Sequence, residues 1–243
     1  TRTIKTGDLF FALRGGNLDG HAYVKAAWRR GAAGAVVCRG GVYPPLGGKS
    51  LVQVGDTLRA LGDLAAHWRR KFPIPVVAVT GSNGKTTTKE MIATILGTRF
   101  SVLKTEGNFN NLIGLPLTLF RLQPHHQVAV LEMGTNHPGE IRRLTEVAAP
   151  EVGVVTNVGR AHLEGLKSVQ GVARAKGELL QGLPVDGLAI LWGDDPALPL
   201  LKGLVASKVK TFGWGKRCDV QGLRPKGLRP SSRDSRGMTF EVG

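Results

Sequence analysis

Cysteine is scarce in this sequence, and no apolar run is long enough to cross a bilayer. The two cysteines, Cys38 and Cys218, are too few and too far apart for a disulfide framework or a zinc cluster. A membrane-spanning helix needs about 20 consecutive apolar residues. We therefore expect no membrane span, and we expect a globular protein of the reducing cytoplasm.

Acidic residues are also few, since 18 Asp and Glu face 33 Lys and Arg and leave a formal net charge of +15. Such a charge attracts nucleic acid, anionic membranes or phosphorylated small molecules. The most basic stretch, residues 207–236, carries almost no aromatic side chain after Trp214 that could stack on bases. A solvated basic surface is therefore favoured there. We expect no nucleic-acid partner, although a basic nucleotide-dependent nucleic-acid-binding protein stays a remote alternative.

The first part of the chain has the pattern of a small α/β unit. Residues 8–13 and 34–38 are apolar strand candidates, and a helix-like stretch, residues 21–30, separates them. Asp56 is a candidate N-cap for a further helix. Its predicted apolar face consists of Leu58, Leu61, Leu64, Ala65 and Trp68.

Pro73 and Pro75 end that helix and mark the predicted boundary between two domains, residues 1–72 and 73–243. After the boundary strands and helices alternate, which is typical of a mostly parallel, doubly wound sheet. The strand candidates are residues 76–80, 128–133, 152–157, 188–191 and 209–212, and the helix candidates are residues 85–96, 139–147 and 169–183. The alternation fades after Asp219 and ends on a short strand candidate, residues 238–242, so we expect the second domain to be incomplete.

The most informative motif follows the first strand of the second domain. The run Val76-Val-Ala-Val-Thr80 gives way to Gly81-Ser-Asn-Gly-Lys-Thr-Thr87, which opens a helix. The two glycines allow backbone N–H groups to converge on an anion at the helix N-terminus, where Lys85 would reach the outer phosphates and Thr86 a Mg²⁺ ion. Val79 stands where the usual motif has its first glycine. The motif is therefore a short P-loop, and it predicts a triphosphate site.

Other polar residues follow the neighbouring strands. Because ligands bind beyond the carboxyl ends of parallel strands, Glu132 and His162 are candidates for completing a Mg²⁺ shell. Lys176, on a predicted helix, would pass for a surface charge on its placement alone. The amide-rich stretch 104–116 could form turns or could bind a substrate carboxylate or sugar, and the sequence alone does not choose.

Five blocks in this order resemble the Mur ligases of peptidoglycan synthesis. They are Gly81-Ser-Asn-Gly-Lys-Thr-Thr, Asn108-Phe-Asn-Asn-Leu-Ile-Gly-Leu-Pro, Glu132-Met-Gly-Thr-Asn-His-Pro-Gly-Glu, Thr156-Asn-Val-Gly-Arg-Ala-His and Ala175-Lys-Gly-Glu. Residues 1–13 and 19–21 resemble the N-terminal, UDP-binding domain of that family. The block that begins at Glu132 favours the member that adds D-alanyl-D-alanine.

The resemblance implies an ATP-dependent ligase that joins D-alanyl-D-alanine to UDP-N-acetylmuramoyl-tripeptide through an acyl phosphate. The ATP-binding residues would be Gly81, Ser82, Asn83, Gly84, Lys85, Thr86 and Thr87. Catalytic roles would fall to Lys85, His162 and Lys176, and the Mg²⁺ ligands would be Thr86, Glu132, His162 and Lys176. Lys176 would be carbamylated, because a carbamate is an anionic metal ligand whereas an ammonium is repelled by the metal.

The resemblance also implies the substrate contacts. They would be Thr1, Arg2, Gly16, Asn17, Leu18, Asp19, His21, Thr105, Asn108, Asn110 and Asn111. The family has a third domain that helps to bind ATP and the amino component, so we expect residues 1–243 alone to be inactive. We also expect a monomer that acts on small molecules. The alternative is another Mur-type ligase or a folylpolyglutamate-synthetase-like ligase with the same short loop.

Overall fold

The computed structural model describes residues 3–16, 18–43 and 48–222. The strands are β1 Leu9–Phe11, β2 Gly34–Cys38, β3 Ser50–Val54, β4 Val76–Thr80, β5 Val102–Lys104, β6 Val128–Glu132, β7 Val152–Val155, β8 Leu188–Trp192, β9 Lys208–Gly213 and β10 Val220–Gln221. The α-helices are α1 Val24–Arg29, α2 Thr57–Arg69, α3 Lys85–Leu96, α4 Gly114–Leu119, α5 Glu140–Ala148, α6 Leu163–Leu166, α7 Val169–Gln181 and α8 Leu198–Lys202. A 3₁₀ helix, Gly20–Tyr23, precedes α1.

Strands β1, β2 and β3 form a small parallel sheet in that order, with Gly34 paired to Leu9 on one side and to Ser50 on the other. The two predicted strands of this region are confirmed as β1 and β2. The predicted helix over residues 21–30 is instead a 3₁₀ turn followed by the short helix α1. Strand β3 was not predicted, because its residues are mostly exposed and lack an apolar run.

The remaining strands form one parallel sheet in the order β10-β9-β8-β7-β4-β6-β5. The prediction of a doubly wound parallel sheet is therefore confirmed. Strand β4 lies between β7 and β6, so the chain leaves it first toward one side of the sheet and later toward the other. The carboxyl end of β4 is the switch point at which open α/β sheets bind ligands, and the predicted P-loop begins there.

The predicted helices of the larger sheet are found as α3, α5 and α7, each within two residues of its expected limits. Strands β5 and β10 and helix α8 were not predicted, since all three are short. The strand predicted for residues 238–242 lies outside the described residues. None of the described helices has the length and apolarity needed to cross a membrane.

Helix α2 links the two sheets. Its N-cap is Asp56 as predicted, with the carboxylate accepting from the N–H groups of Leu58 and Arg59. Its predicted apolar face is only partly correct, because Leu64 is 41% exposed. Ala65 and Ala66 of α2 pack into the core beneath the larger sheet. The division of the chain at residue 72 stays a prediction.

Arg69, the last residue of α2, ties that helix to the larger sheet. Its side chain is 6% exposed and donates to the backbone oxygens of Phe72, Ile74 and Ala148 at 2.7, 3.1 and 3.1 Å. It also pairs with Glu151 at 3.4 Å. One guanidinium therefore satisfies carbonyl groups from three places in the chain.

We predict that Arg69→Met lowers the free energy of unfolding by about 2 to 4 kcal/mol, because the apolar side chain leaves buried carbonyl groups unpaired. Urea denaturation followed by circular dichroism measures the change. Arg70→Met is the matched control, since Arg70 is exposed and its replacement should change stability by no more than about 0.5 kcal/mol. Equal effects of the two substitutions would contradict the anchoring role.

Candidate active site

A cleft of about 550 Å³ opens at the carboxyl ends of β4 and β6. The P-loop forms one wall, and the residues that follow β6 form another. The polar side chains that line it include Lys85, Thr86, Asn110, Glu132 and His162. Residues predicted from three distant parts of the sequence are thus brought to one cleft.

The P-loop has the backbone conformation that its glycines allow. Gly81 has φ +151° and Gly84 has φ +76°, both in regions that residues with side chains rarely adopt. Helix α3 begins directly after Gly84. The ammonium of Lys85 folds back over the loop and donates to the oxygens of Gly81 and Ser82 at 2.9 and 3.4 Å. The predicted phosphate-binding lysine therefore lines the cleft with its ammonium held by the loop.

The N–H groups of the loop fall into two sets. Those of Ser82 and Asn83 donate to the backbone and side-chain oxygens of Asn157, both at 2.9 Å. Within the described residues, those of Gly84 to Thr87 have no hydrogen-bond acceptor. Of the predicted ATP-binding residues, Gly84 to Thr87 therefore have N–H groups free for an anion, whereas the N–H groups of Ser82 and Asn83 are already bonded within the protein.

The Glu132 carboxylate, at the end of β6, is 2% exposed and fully hydrogen-bonded. One oxygen accepts from the hydroxyl of Thr86 and the other from the amide nitrogen of Asn110, both at 2.8 Å. The backbone N–H of Glu132 donates to the Thr105 hydroxyl at 3.0 Å. The predicted metal ligands Thr86 and Glu132 are therefore adjacent, and Asn110 joins them.

These residues offer only a few of the ligands that Mg²⁺ needs, so other groups would have to complete its coordination. Among the described residues no three His, Cys, Asp or Glu side chains converge on one point. Mg²⁺ commonly binds through one or two carboxylates, waters and substrate phosphates. Glu132 and Thr86 fit that pattern, with a phosphate completing the set.

His162 lines the same cleft, directly before α6. It has φ +54°, so a residue with a side chain occupies left-handed backbone there. Its ring has no hydrogen-bond partner among the described residues. The imidazole is thus exposed to the cleft and available to a ligand.

Lys176, on α7, is buried rather than at the surface. It is 2% exposed, and its ammonium has no hydrogen-bond or ion-pair partner in the described part of the chain. Burial, and after it the positive charge of Lys85, lowers the pKa of Lys176 to about 8. It does not line the cleft. The surface position that placement alone suggested is therefore wrong, and Lys176 is a buried amine without a polar partner among the described residues whose charged form is disfavoured by burial and by Lys85.

The predicted substrate residues of the amide-rich stretch differ in placement. Thr105 is 0% exposed, and its hydroxyl accepts a hydrogen bond from the N–H of Glu132 rather than facing solvent. Asn111 lines the cleft, but its side-chain oxygen accepts from the N–H groups that begin α4. Asn108 is exposed outside the cleft. Thr105 and Asn110 therefore both contact the predicted metal ligand Glu132, Thr105 at its backbone and Asn110 at its carboxylate.

The N-terminal substrate residues lie at a second cavity, of about 420 Å³, beside β2. Asp19 and His21 line it together with Arg14 and Arg39. The His21 ring is held at both nitrogens, since Nδ1 contacts Asp19 and Nε2 accepts from the N–H of Cys38 at 2.9 Å. The N–H of His21 is the main cause of the lowered pKa of Asp19.

Leu18 lines a neighbouring groove, and Gly16 is exposed. The predicted substrate residues Thr1, Arg2 and Asn17 lie outside the residues that the structure describes.

Sequence reasoning missed three buried charged side chains around the cleft. Lys89 on α3 is 1% exposed and donates to the oxygen of Thr105 at 2.7 Å. Glu178 on α7 accepts from the N–H groups of Gly139 and Arg142 and so caps α5. Asp195 accepts from the N–H of Val158 at 2.7 Å. Glu178 stands in a recognised block, but the contacts of all three depend on tertiary packing.

Comparison with known proteins identifies the family to which this chain belongs. The profile of the Mur ligase middle domain matches residues 79–242. The chain is 41% identical over 242 residues to the UDP-N-acetylmuramoyl-tripeptide–D-alanyl-D-alanine ligase of Bacillus subtilis, covering 100% of this chain and 51% of that protein. The chain thus spans about half the length of the curated relatives it matches.

Solved structures give the same result. MurF from Acinetobacter baumannii superposes with a TM-score of 0.83 at 35% identity, over 90% of this chain and 47% of that one. A MurF ligase from Thermotoga maritima in complex with ADP superposes with a TM-score of 0.79 at 34% identity, over 88% of this chain and 49% of that one.

Proposed function

Because this chain belongs to the Mur ligase family, we propose that it forms the UDP-substrate- and ATP-binding part of a ligase that joins D-alanyl-D-alanine to UDP-N-acetylmuramoyl-tripeptide. Relatives of that name match the chain across its whole length. The observation that carries the proposal is the hydrogen-bonded group Thr86, Glu132 and Asn110 beside the short P-loop. We propose a monomer in the cytoplasm, where peptidoglycan precursors would be assembled.

The reaction activates a carboxylate before an amine attacks it. The terminal carboxylate of the tripeptide attacks the γ-phosphate of ATP, which gives an acyl phosphate and ADP. The amine of D-alanyl-D-alanine then displaces phosphate and forms the amide. The protein mainly supplies position and charge neutralisation. The free N–H groups of Gly84 to Thr87 and the ammonium of Lys85 suit that role.

Thr86 and Glu132 would hold Mg²⁺, and His162, which lines the same cleft, would serve a second metal. The ion, when bound, neutralises phosphate charge. Asn110 keeps the Glu132 carboxylate oriented through the bond to its second oxygen. Gly134 supports this arrangement, because a Cβ there would lie 3.0 Å from the Asn110 side-chain oxygen.

Lys176 would work as a carbamate. Its neutral amine attacks the carbon of CO₂, an N–C bond forms and one proton leaves to solvent. A lowered pKa of about 8 supports this reaction, because about one tenth of the side chain is then the neutral nucleophile at pH 7, far more than for an ordinary lysine. The product would replace an unpaired buried cation by an anion near Lys85, which is electrostatically favourable.

The UDP group of the substrate would bind at the N-terminal cavity. Arg14 and Arg39 supply positive charge there, and the Asp19 carboxylate, which His21 holds in place, supplies a hydrogen-bond acceptor. Leu18, which lines the neighbouring groove, and the exposed Gly16 are proposed as contacts beside it. Thr1, Arg2 and Asn17 are proposed as further contacts on resemblance alone. The muramoyl peptide would contact Asn108, Asn110 and Asn111. Thr105 would act on it indirectly, through Glu132.

We predict that the complete protein releases phosphate from ATP only when UDP-N-acetylmuramoyl-tripeptide and D-alanyl-D-alanine are both present. A coupled phosphate assay with each substrate pair measures this. The discriminating pairs replace the dipeptide by a diamino acid or glutamate and supply the matching acceptor. Phosphate release that ignores D-alanyl-D-alanine and requires one of those amino acids would favour another Mur-type or a folylpolyglutamate-synthetase-like ligase.

We predict that Lys85→Ala weakens Mg²⁺–ADP binding to this chain roughly 10- to 100-fold, because one charge-assisted contact to phosphate is lost. Isothermal titration calorimetry measures the affinity. Lys208→Ala is the matched control, since Lys208 is an exposed lysine at the amino end of β9. Thr86→Ala should weaken binding with Mg²⁺ more than without it. Unchanged affinity in Lys85→Ala would argue against the phosphate assignment.

We predict that the chain incubated with ¹³C-bicarbonate shows a carbamate carbon by NMR and that Lys176→Arg abolishes it. The guanidinium cannot form a stable carbamate at neutral pH, because it stays protonated. Lys89 serves as an internal comparison, since it is equally buried but paired with Glu90 at 2.7 Å. A carbamate signal that persists in Lys176→Arg would place the modification elsewhere and remove the basis for this role.

A further inference from the structure

The backbone N–H and the backbone carbonyl of Asn83, in the middle of the P-loop, are both bound by one side chain. Its N–H donates to the amide oxygen of Asn157 at 2.9 Å, and its carbonyl accepts from the amide nitrogen of Asn157, also at 2.9 Å. The hydroxyl of Thr156 donates to the same carbonyl at 2.6 Å. The two groups belong to the successive peptide units on either side of the Asn83 Cα, so the Asn157 amide restricts both backbone dihedrals of Asn83.

The turn that supplies these groups, residues 156–159, also holds the preceding loop residue. The N–H of Ser82 donates to the Asn157 carbonyl at 2.9 Å. The Ser82 hydroxyl oxygen accepts from the N–H of Gly159 at 2.8 Å. Ser82 is therefore held to this turn by its backbone and its side chain, and Asn83 by its backbone N–H and carbonyl.

The turn is itself held at both ends. Strand β7 pairs with β4 in parallel, with Val155 opposite Thr80, so the turn and the P-loop leave adjacent strands side by side. On the other side, the N–H of Val158 donates to the buried carboxylate of Asp195, which follows β8, at 2.7 Å. Gly81 allows the close approach, because a Cβ there would lie 1.9 Å from the Thr156 hydroxyl oxygen.

The carbonyl of Asn83 shares its planar peptide unit with the N–H of Gly84, so fixing that carbonyl also fixes the direction of the first free donor. Gly84, with φ +76°, follows Asn83 directly, and the unpaired N–H groups of Gly84 to Thr87 come next. A loop with two glycines has many accessible conformations, and ordering it on binding would cost free energy. A loop already fixed before the ligand arrives avoids that cost.

We propose that Asn157 is a positioning residue of the nucleotide site, which holds the P-loop in its phosphate-binding conformation. Its oxygen and its nitrogen both bind the loop, so it acts through Asn83 and not by contact with the nucleotide. The inference rests on the proposed nucleotide site. Loss of the Asn157 amide lowers the fraction of molecules whose loop is competent, and the apparent affinity falls by that fraction.

The first test needs no nucleotide. Asn157→Leu keeps the approximate shape of the side chain and removes both hydrogen bonds to Asn83. Hydrogen exchange measured by NMR should show the Asn83 amide losing roughly tenfold in protection, about the effect of one hydrogen bond. The amides of β4 should keep theirs. Unchanged protection at Asn83 would overturn the proposed contact.

The second test measures binding of a fluorescent ADP analogue by stopped flow. Asn157→Leu should weaken binding roughly tenfold. The loss should appear in the association rate, with a nearly unchanged dissociation rate, because the bound loop is the same once formed. Gln127→Met is the matched control. Its side-chain oxygen accepts from the N–H of Ser101 at 3.0 Å, at the amino end of the sheet.

The outcomes separate this inference from the proposed function. If the unsubstituted chain does not bind the analogue, the proposed nucleotide site is wrong. If it binds and Asn157→Leu binds equally well, the nucleotide site stands and the positioning role is overturned. If Gln127→Met weakens binding as much as Asn157→Leu, the effect is one of general stability and the positioning role is again overturned.

Discussion

Removing the Glu132 carboxylate from solvent is the constraint around which the candidate site is arranged. A buried charged group is tolerated only where its oxygens receive hydrogen bonds. The donors come from helix α3 through Thr86 and from the amide-rich loop through Asn110. Thr105 fixes the backbone of Glu132, and Lys89 fixes that of Thr105. The P-loop helix, β6 and the intervening loop are therefore held together by one carboxylate and its donors.

Strands and helices could be predicted from the sequence where the pattern that specifies them lies within a few neighbouring residues. Strand β4 and helix α3 have the predicted limits, because an apolar β-branched run, two glycines and a helical period each act over a few residues. Strands β3 and β5 escaped prediction, since an edge strand needs neither an apolar run nor alternation. The apolar face of α2 was misjudged at Leu64 because burial depends on which neighbours cover the helix.

The site could be predicted in part for the same reason. Lys85, Thr86, Glu132 and His162 follow strand ends, and parallel strands bring such residues together. The roles of Lys89 and Asn157 depend instead on the register between strands that lie far apart in the chain. A buried lysine and a surface lysine are the same letter in a sequence. Their difference arises only when the helix that carries them packs.

The left-handed backbone at His162 has a consequence for any attempt to raise the free energy of unfolding of this protein. His162 and Lys167 both have positive φ and enclose the short helix α6. Left-handed backbone at a residue with a side chain costs roughly 1 to 2 kcal/mol, a penalty that glycine does not incur. A stability-guided redesign would therefore favour glycine at position 162. The change that the backbone favours most is the one that removes the imidazole from the cleft.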